Sequence, residues 1–347
     1  MNGDISFDPH IFYSRQTILK ELGPEGQEKL KKSRVVVVGV GGLGSVSALY
    51  LALAGVGFLK LIDHDTVELH NLHRQVLYSI ENLRYPKVEA AANRIKHLNP
   101  EVKVEAIPEN IRAENVEELI KDVDVVVDGL DNMRTRYLIN RICAKKGIPY
   151  VFGAAIGLEG NLSIFAPPET PCLECVFPNL EDEQLPTCNV RGVLGSTTGI
   201  IGSLQAMETI KLLANIGETL KSKLLICDFK NMDFVKLDIL KRPDCPVCQS
   251  VTIKKPPIER LVWLCGQKTV NINPPHPTSL DLDRIHEKLE SRFKILLKSS
   301  LAIVFEYHNN VEISIFKNGR VLIKNVDNEE NALKIYKIVI NELTPLI

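Results

Sequence analysis

The chain has 347 residues, of which 45% are hydrophobic and 24% are charged, a composition typical of a globular protein with one large or two ordinary domains. Its formal net charge of −1 gives no indication of bulk electrostatic binding to nucleic acid or to an anionic membrane. The sequence contains neither a signal-peptide pattern nor roughly 18 uninterrupted apolar residues that would span a membrane. We therefore expect a cytoplasmic protein.

The first half of the chain alternates between predicted strands and predicted helices. Strands are indicated at Arg34–Gly39, Phe58–Asp63, Val102–Ile107 and Val123–Asp128, and another begins at Pro149. Helical patterns occupy Ser45–Ala54, Lys87–Leu98 and Thr135–Lys146. This alternation predicts an α/β fold with a Rossmann-like, doubly wound sheet.

The pattern changes after Gly153. Two further strands, Asn161–Phe165 and Leu224–Asp228, and a long helix, Gly199–Ala214, predict that the sheet continues into a mixed or antiparallel part. A linker at residues 254–257 divides the chain into a first domain, residues 1–253, and a second, residues 258–347. The second has the pattern of a small α+β domain, with Asn318-Gly319 as a hairpin turn.

A glycine-rich loop follows the first predicted strand and opens the next helix. Its glycines are Gly39, Gly41, Gly42 and Gly44, and they allow the backbone to approach a phosphate closely. Asp63 ends the following strand, where it can accept hydrogen bonds from ribose hydroxyls. Alone, this pattern also fits an oxidoreductase that depends on NAD or FAD.

The residues that follow Asp63 favour ATP over a nicotinamide. Arg74 and, on the next helix, Lys87 are cations that suit a triphosphate whose charge grows during reaction. The candidate nucleotide-binding residues in this segment, besides Arg74 and Lys87, are Asp65, His70, Asn71, Leu72, His73 and Gln75.

Two polar residues follow the strand Val123–Asp128, at the edge where open α/β sheets bind ligands. Asp131 is a candidate Mg²⁺ ligand because this ion favours one or two carboxylates together with phosphate oxygens. Asn132 is a candidate nucleotide contact, and it is also suited to cap the following helix.

Four of the eight cysteines form two CxxC pairs, Cys172/Cys175 and Cys245/Cys248. Such pairs predict one tetrahedral, structural Zn²⁺ site that ties the middle of the chain to the end of the first domain. A zinc ribbon that binds nucleic acid would need a basic stripe with interleaved aromatic residues, and the sequence has none. Cys143 and Cys227 are expected to be core residues, and Cys265 a structural thiol.

Together these motifs resemble the MoeB/ThiF/HesA family of ubiquitin-activating-enzyme-like adenylyltransferases, with an accessory C-terminal domain. The resemblance covers residues 12–250 and rests on YSRQ (13–16), GVGGLGS (39–45), IDHDTVELHNLHRQ (62–75), Lys87, GLDNMRTR (129–136), GAAIGLEGNLSIF (153–165), CLEC (172–175), GIIGSLQAMETIK (199–211) and CPVC (245–248).

The resemblance implies a reaction and a set of roles. ATP and Mg²⁺ would adenylate the C-terminal glycine carboxylate of a small ubiquitin-like or sulfur-carrier protein that ends in Gly-Gly. Arg15 would act in the site of the other subunit of a homodimer, together with Arg74, Lys87 and Asp131. Cys188 matches the family's catalytic cysteine and would form a thioester, or an acyl disulfide if a sulfur donor first loads it. The identity of the protein partner stays open, and the C-terminal domain is expected to bind the partner or the sulfur donor rather than ATP.

Overall fold

The computed structural model describes residues 7–182, 191–249, 261–264, 268–274 and 278–343. The described residues form two β-sheets, one of eight strands and one of six. No helix in these ranges is long and apolar enough to cross a membrane.

The eight-stranded sheet has the order β3-β2-β1-β4-β5-β6-β7-β8. Its first five strands in this order are parallel, and β6, β7 and β8 continue it in antiparallel fashion. The strands are β1 Arg34–Val38, β2 Phe58–Ile62, β3 Lys103–Ile107, β4 Val125–Asp128, β5 Tyr150–Ile156, β6 Glu159–Phe165, β7 Lys223–Asp228 and β8 Asp233–Asp238. The predicted α/β fold with a mixed continuation is confirmed.

Helices connect and flank these strands. They span Pro9–Phe12, Ser14–Thr17, Gly23–Lys32, Gly42–Leu53, Lys87–Leu98, Val116–Leu119, Met133–Lys146, Leu173–Val176, Gly195–Ala214 and Pro246–Gln249. Local chemistry sets their ends: the side chain of Asn132 caps the helix Met133–Lys146, which stops at Gly147 in the left-handed conformation, with φ of 68°.

The nearly continuous valine runs of β1 and β4 follow from the position of these strands in the large sheet. Both strands are central and parallel, so they are covered on both faces, and their valine side chains are buried. The long helix Gly195–Ala214 packs on the helix Gly42–Leu53 at Gly202, where an added Cβ would lie 2.7 Å from the carbonyl oxygen of Leu43. Close helix packing therefore fixes the glycine loop against the rest of the core.

The second sheet is antiparallel, with the order β11-β12-β13-β14-β10-β9. One face packs against the helices Leu282–Glu290 and Glu329–Leu343 through an apolar cluster that includes Phe305, Ile313 and Ile323. The strands are β9 Leu261–Leu264, β10 Thr269–Ile272, β11 Lys294–Lys298, β12 Ala302–Glu306, β13 Glu312–Phe316 and β14 Val321–Lys324. Gly319, with φ of 82°, lies in the predicted turn between β13 and β14.

Two strands were not predicted from the sequence. β8 exposes all six of its residues, so it lacks the buried face that produces a clear apolar alternation. In β11, KILLK, the three central residues are half-buried and both lysines are exposed, and its apolar residues are consecutive rather than alternating.

Candidate active site

The glycine loop requires glycine for steric reasons. Gly39 has φ of 82°, and an added Cβ would lie 2.5 Å from the carbonyl oxygen of Gly129, in the loop that follows β4. At Gly44 an added Cβ would lie 1.8 Å from the carbonyl oxygen of Gly39. The loops after β1 and β4 therefore touch each other at the carboxyl edge of the parallel sheet, where the sequence predicts a nucleotide.

Asp63 links the glycine loop to the strand beside it. Its Oδ2 accepts a hydrogen bond from the backbone N–H of Val40 at 2.8 Å, and its Oδ1 accepts one from the N–H of Asp65 at 2.8 Å. Tyr78, which the sequence analysis did not select, donates to the carbonyl oxygen of Val40 at 2.7 Å. A carboxylate offers about four acceptor positions, so Asp63 retains acceptor capacity for ribose hydroxyls.

Lys87, which is buried, forms an ion pair with the half-buried Asp65, with an Nζ to Oδ2 distance of 2.8 Å. Burial opposes the charge of both groups, yet Lys87 holds the pKa of Asp65 well below its ordinary value. Burial likewise works against a charged Lys87, but Asp65 and Asp63 raise its pKa above the ordinary range. The lysine is therefore a permanent cation at the carboxyl edge of the sheet.

Residues 68–75 form a short, capped segment beside the pair. The side chains of Glu68 and Asn71 cap the turn Leu69–Asn71 reciprocally, and Asn71 is buried. Arg74 donates to the carbonyl oxygen of His70 at 2.8 Å and contacts Nε2 of His73 at 2.9 Å. His70 and His73 are exposed and Leu72 is half-buried, so these three are weaker candidates for tight nucleotide contacts.

Gln75 has the burial and position of a ligand contact. Only 3% of it is exposed, and its Oε1 has no hydrogen-bond partner among the described residues. Its Nε2 lies 3.8 Å from the position of a Cβ on Gly41. The hydroxyl of Ser45, at the end of the glycine loop, is also buried without a partner in the described part of the chain. Unpartnered buried polar atoms are costly, which fits a site built to receive a polar ligand.

Asp131 and Asn132 stand where the sequence placed them, after β4. Asn132 accepts a hydrogen bond from the N–H of Thr135 at 2.9 Å, so its capping role is confirmed. Asp131 is exposed, and its carboxylate accepts one hydrogen bond at 3.3 Å, from Nδ2 of Asn132. An exposed carboxylate at this edge fits a Mg²⁺ ligand that acts together with phosphate oxygens.

A buried network that the sequence analysis did not identify supports this loop. Asp128 accepts hydrogen bonds from Arg136 at 2.9 Å, from the hydroxyl of Tyr150 at 2.7 Å and from the N–H of Leu130 at 2.8 Å. Gln205 reaches the carbonyl oxygen of Asp128 at 2.7 Å. The clue in the sequence was the acidic end of an otherwise apolar strand, since a buried carboxylate needs partners.

The four cysteines of the CxxC pairs come together. Their sulfur atoms all lie within 4.8 Å of one another, with Cys172 to Cys245 at 3.6 Å and Cys175 to Cys248 at 3.5 Å. A tetrahedral Zn²⁺ with Zn–S bonds of about 2.3 Å places its sulfurs about 3.8 Å apart. The donor set and the spacing thus fit zinc.

The remaining cysteines fall into two groups. Cys143 and Cys227 are each 1% exposed, and burial raises the pKa of both thiols, so the prediction that they are core residues is confirmed. Cys188 and Cys265 lie outside the described residues. Arg191, three residues after Cys188 in the sequence, is exposed and pairs with Glu159 at 3.1 Å.

A comparison with protein-family models matches residues 13–247 to the ThiF family. This chain belongs to the ThiF family. The resemblance drawn from its motifs is therefore confirmed.

Two relatives of this ThiF-family chain are similar over most of their length. It is 46% identical over 237 residues to the SAMP-activating enzyme E1 of Haloferax volcanii, covering 68% of the chain and 87% of that protein. It is 44% identical over 242 residues to the sulfur carrier protein adenylyltransferase of Thermus thermophilus, covering 68% and 89%. It is also 42% identical to the adenylyltransferase and sulfurtransferase MOCS3 of Culex quinquefasciatus, but spans only 54% of that protein.

Solved structures show the same fold. A crystal structure of E. coli MccB aligns with a TM-score of 0.62 and 24% identity, over 69% of this chain and 76% of that one. The crystal structure of PaaA aligns with a TM-score of 0.59 and 25% identity, over 69% and 86%.

Arg15 of this ThiF-family chain is not near its own glycine loop. Hydrogen bonds fix two of its neighbours. The hydroxyl of Tyr13 accepts from Nδ2 of Asn99 at 2.7 Å, and Nε2 of Gln16 donates to the carbonyl oxygen of Ala54 at 2.8 Å. Ala54 lies before β2 and Asn99 before β3, at the amino edge of the parallel sheet. Arg15 itself is exposed there, on the opposite edge from Asp63 and Asp131.

Proposed function

We propose that this chain uses ATP to adenylate the C-terminal glycine carboxylate of a small ubiquitin-like or sulfur-carrier protein. The observation that carries the proposal is the meeting of the glycine loop, Asp63, the Asp65–Lys87 pair and Asp131 at one edge of the parallel sheet. The names of the two relatives with 44% and 46% identity support the same chemistry. A cytoplasmic location, where ATP is available, is part of the proposal.

In the proposed reaction, a carboxylate oxygen of the partner attacks the α-phosphorus of ATP, and pyrophosphate leaves. Such transfers depend mainly on positioning and on charge neutralisation. Asp63 would orient the ribose, Gln75 and the glycine loop would hold the phosphates, and Lys87 would neutralise charge that grows on them. Asp131 would hold Mg²⁺, which would supply further charge neutralisation at the phosphates.

The test is partner-dependent exchange between ATP and pyrophosphate. The full chain is incubated with radiolabelled pyrophosphate, ATP, Mg²⁺ and a candidate carrier that ends in Gly-Gly. We expect labelled ATP only when the carrier is present, and none with a carrier whose last glycine is deleted. Exchange that ignores the carrier would contradict the proposed substrate, and binding of NAD in place of ATP would favour the oxidoreductase interpretation.

Zn²⁺ is proposed at the four-cysteine cluster as a structural ion. The distances between the sulfur atoms support this. Cys172 to Cys175, Cys172 to Cys245 and Cys175 to Cys248 are 3.9, 3.6 and 3.5 Å apart, which suits four thiolates that share one cation. The variant Cys248→Ser should lose most of its zinc and melt at a lower temperature, whereas Cys143→Ala should retain zinc. Elemental analysis that finds no zinc in the unmodified protein would refute the assignment.

A homodimer with Arg15 acting in the neighbouring site is proposed from the position of Arg15 at the amino edge. The flanking residues Ile11 and Ile18 are 73% and 74% exposed, which suits a surface covered by another chain. Mixing an Arg15→Ala chain with an Asp131→Ala chain should restore exchange in one site of each mixed dimer. If mixing restores nothing while each variant binds ATP, Arg15 has no role in the other site.

Cys188 is proposed to act after adenylation. Its thiolate would attack the acyl carbon of the adenylate, forming a thioester as AMP leaves. If a sulfur donor first converts Cys188 to a persulfide, the product would be an acyl disulfide. Cys188→Ala should retain exchange and lose any thiol-sensitive adduct with the carrier. An adduct that persists in this variant would assign the step to another thiol.

A further inference from the structure

Several contacts between the C-terminal domain and the first domain surround the Asp65–Lys87 pair. Lys324, on β14, donates to Oγ1 of Thr66 at 2.8 Å and also pairs with Glu68. Thr66 follows Asp65 directly. The second domain therefore holds the chain on the carboxyl side of the aspartate.

The same sheet holds both sides of Lys87. Glu312, on β13, pairs with Arg84 at 2.9 Å, three residues before the lysine. The N–H and hydroxyl of Ser300 donate to Oε1 of Glu89 at 2.9 and 2.6 Å, two residues after it. Glu89 lies in the first turn of the helix that Lys87 begins.

The contact with Glu68 extends to the nucleotide-binding segment itself. The carboxylate of Glu68 caps the turn that carries Asn71, and Asn71 is followed by Arg74 and Gln75. Lys324 has a side chain that is only 13% exposed, so its charge acts in a partly desolvated setting where an ion pair is stronger than at the surface.

A fourth contact anchors the sheet next to Asp63. Arg320 is 1% exposed and donates from Nε to the carbonyl oxygen of Pro108 at 3.0 Å. The residue before Pro108, Ile107, accepts the N–H of Asp63 at 3.2 Å. The second domain thus touches the strand end on which the ribose-binding aspartate rests.

We infer that the C-terminal domain completes the ATP site, and that Lys324 is a positioning residue that holds residues 65–75 for nucleotide binding. This inference rests on the proposed function in taking the glycine loop as the ATP site. It replaces the expectation that the domain serves the partner and leaves ATP binding unchanged.

The experiment compares Lys324→Met with Lys294→Met in the full chain. Lys294 pairs with Glu306 inside the second domain and is 75% exposed, so its loss removes a like charge without touching residues 65–75. Equilibrium dialysis with ATP and Mg²⁺ gives the dissociation constant without any partner. Exchange kinetics then give KM for ATP and for the carrier separately.

For Lys324→Met we expect ATP to bind about tenfold more weakly, since the variant loses a charge-assisted contact that holds residues 65–75 in place for the nucleotide. KM for the carrier should stay unchanged, Lys324→Arg should recover most of the ATP affinity, and Lys294→Met should match the unmodified chain. Glu312→Gln provides a milder second variant on the same surface, with a smaller loss in the same direction.

Unchanged ATP affinity in both Lys324→Met and Glu312→Gln would overturn the inference. A rise in KM for the carrier alone would overturn it and would indicate that the domain docks the carrier. An equal loss of ATP affinity in Lys294→Met would also overturn it, because the effect would then reflect a general loss of stability. Because the dialysis needs no carrier, failure of the proposed adenylation would show separately, as ATP binding without exchange.

Discussion

Two ion pairs, each with a buried cation, lie on either side of the glycine loop, and their surroundings differ. Arg136 bonds to Asp128 and also donates to the carbonyl oxygens of Leu130 and Gly153, at 2.7 and 2.8 Å. Lys87 bonds to Asp65 at 2.8 Å, and the described residues engage only that one of its three donors. The first cation is committed to the scaffold, and the second retains donors for a ligand.

The sequence pattern of the two pairs is nearly the same. In each, an aspartate ends or follows a buried parallel strand, and a cation lies on the next helix. Both cations are less than a tenth exposed, but the carboxylate of Asp128 is fully buried, whereas that of Asp65 is 28% exposed. The cations also differ in how many hydrogen bonds they have already made, which is why Lys87, and not Arg136, is the cation proposed to meet a ligand.

The largest effect is expected from Arg136→Met. This change leaves Asp128 buried without its charge partner, which should lower the free energy of unfolding by about 3–5 kcal/mol. Urea denaturation of the full chain measures it. Lys145→Met, which breaks an exposed pair with Glu117, is the control and should cost less than about 1 kcal/mol. Equal effects of the two variants would show that the Asp128 network is not a scaffold.

Lys87→Met should act on the reaction more than on the fold. Loss of a cation that stabilises developing charge is expected to reduce exchange about 10²–10³-fold. The single variant also leaves Asp65 uncompensated, so its stability falls. The double variant Asp65→Asn/Lys87→Met removes that unpaired charge and should recover most of the stability with no recovery of exchange. If exchange returns with stability, Lys87 belongs with Arg136 as a scaffold residue.

Much of the site could be predicted because its residues are tied to strand ends. Asp63, Lys87 and Asp131 follow from local patterns, since the carboxyl ends of parallel strands meet at one edge. The four cysteines followed from ligand spacing alone. The docking of the second domain could not be predicted, because Lys324 and Glu68 are 256 residues apart and neither stands in a recognisable motif.

The Asp128 network was missed for a different reason. Asp128 was visible as the end of a strong strand, but the identity of its partners depends on three elements that meet only in the folded chain. Arg136 comes from the next helix, Tyr150 from β5 and Gln205 from the helix Gly195–Ala214. Gln75 was selected from its motif, yet its burial and unpartnered Oε1 emerged only from packing.

The smallest expected effect is a pH dependence that belongs to the Asp65–Lys87 pair. Lys87 depresses the folded-state pKa of Asp65, although burial works against it. The stability that this carboxylate contributes is therefore fully present above its unfolded pKa of about 3.9, and it is lost as the pH falls through the lower, folded value. The raised pKa of Lys87 keeps the lysine charged throughout this range.

Urea denaturation of the unmodified chain and of Asp65→Asn at pH 7, 5, 4 and 3 measures this contribution. The difference in the free energy of unfolding between the two proteins should be constant from pH 7 to 5 and should shrink below about pH 4. Asp244→Asn, whose carboxylate is 79% exposed, is the control and should show a much smaller change. A difference that is equal at pH 7 and pH 3 would mean that Asp65 gains nothing from its charge. Its pair with Lys87 would then not be what keeps the lysine in place at the proposed triphosphate site.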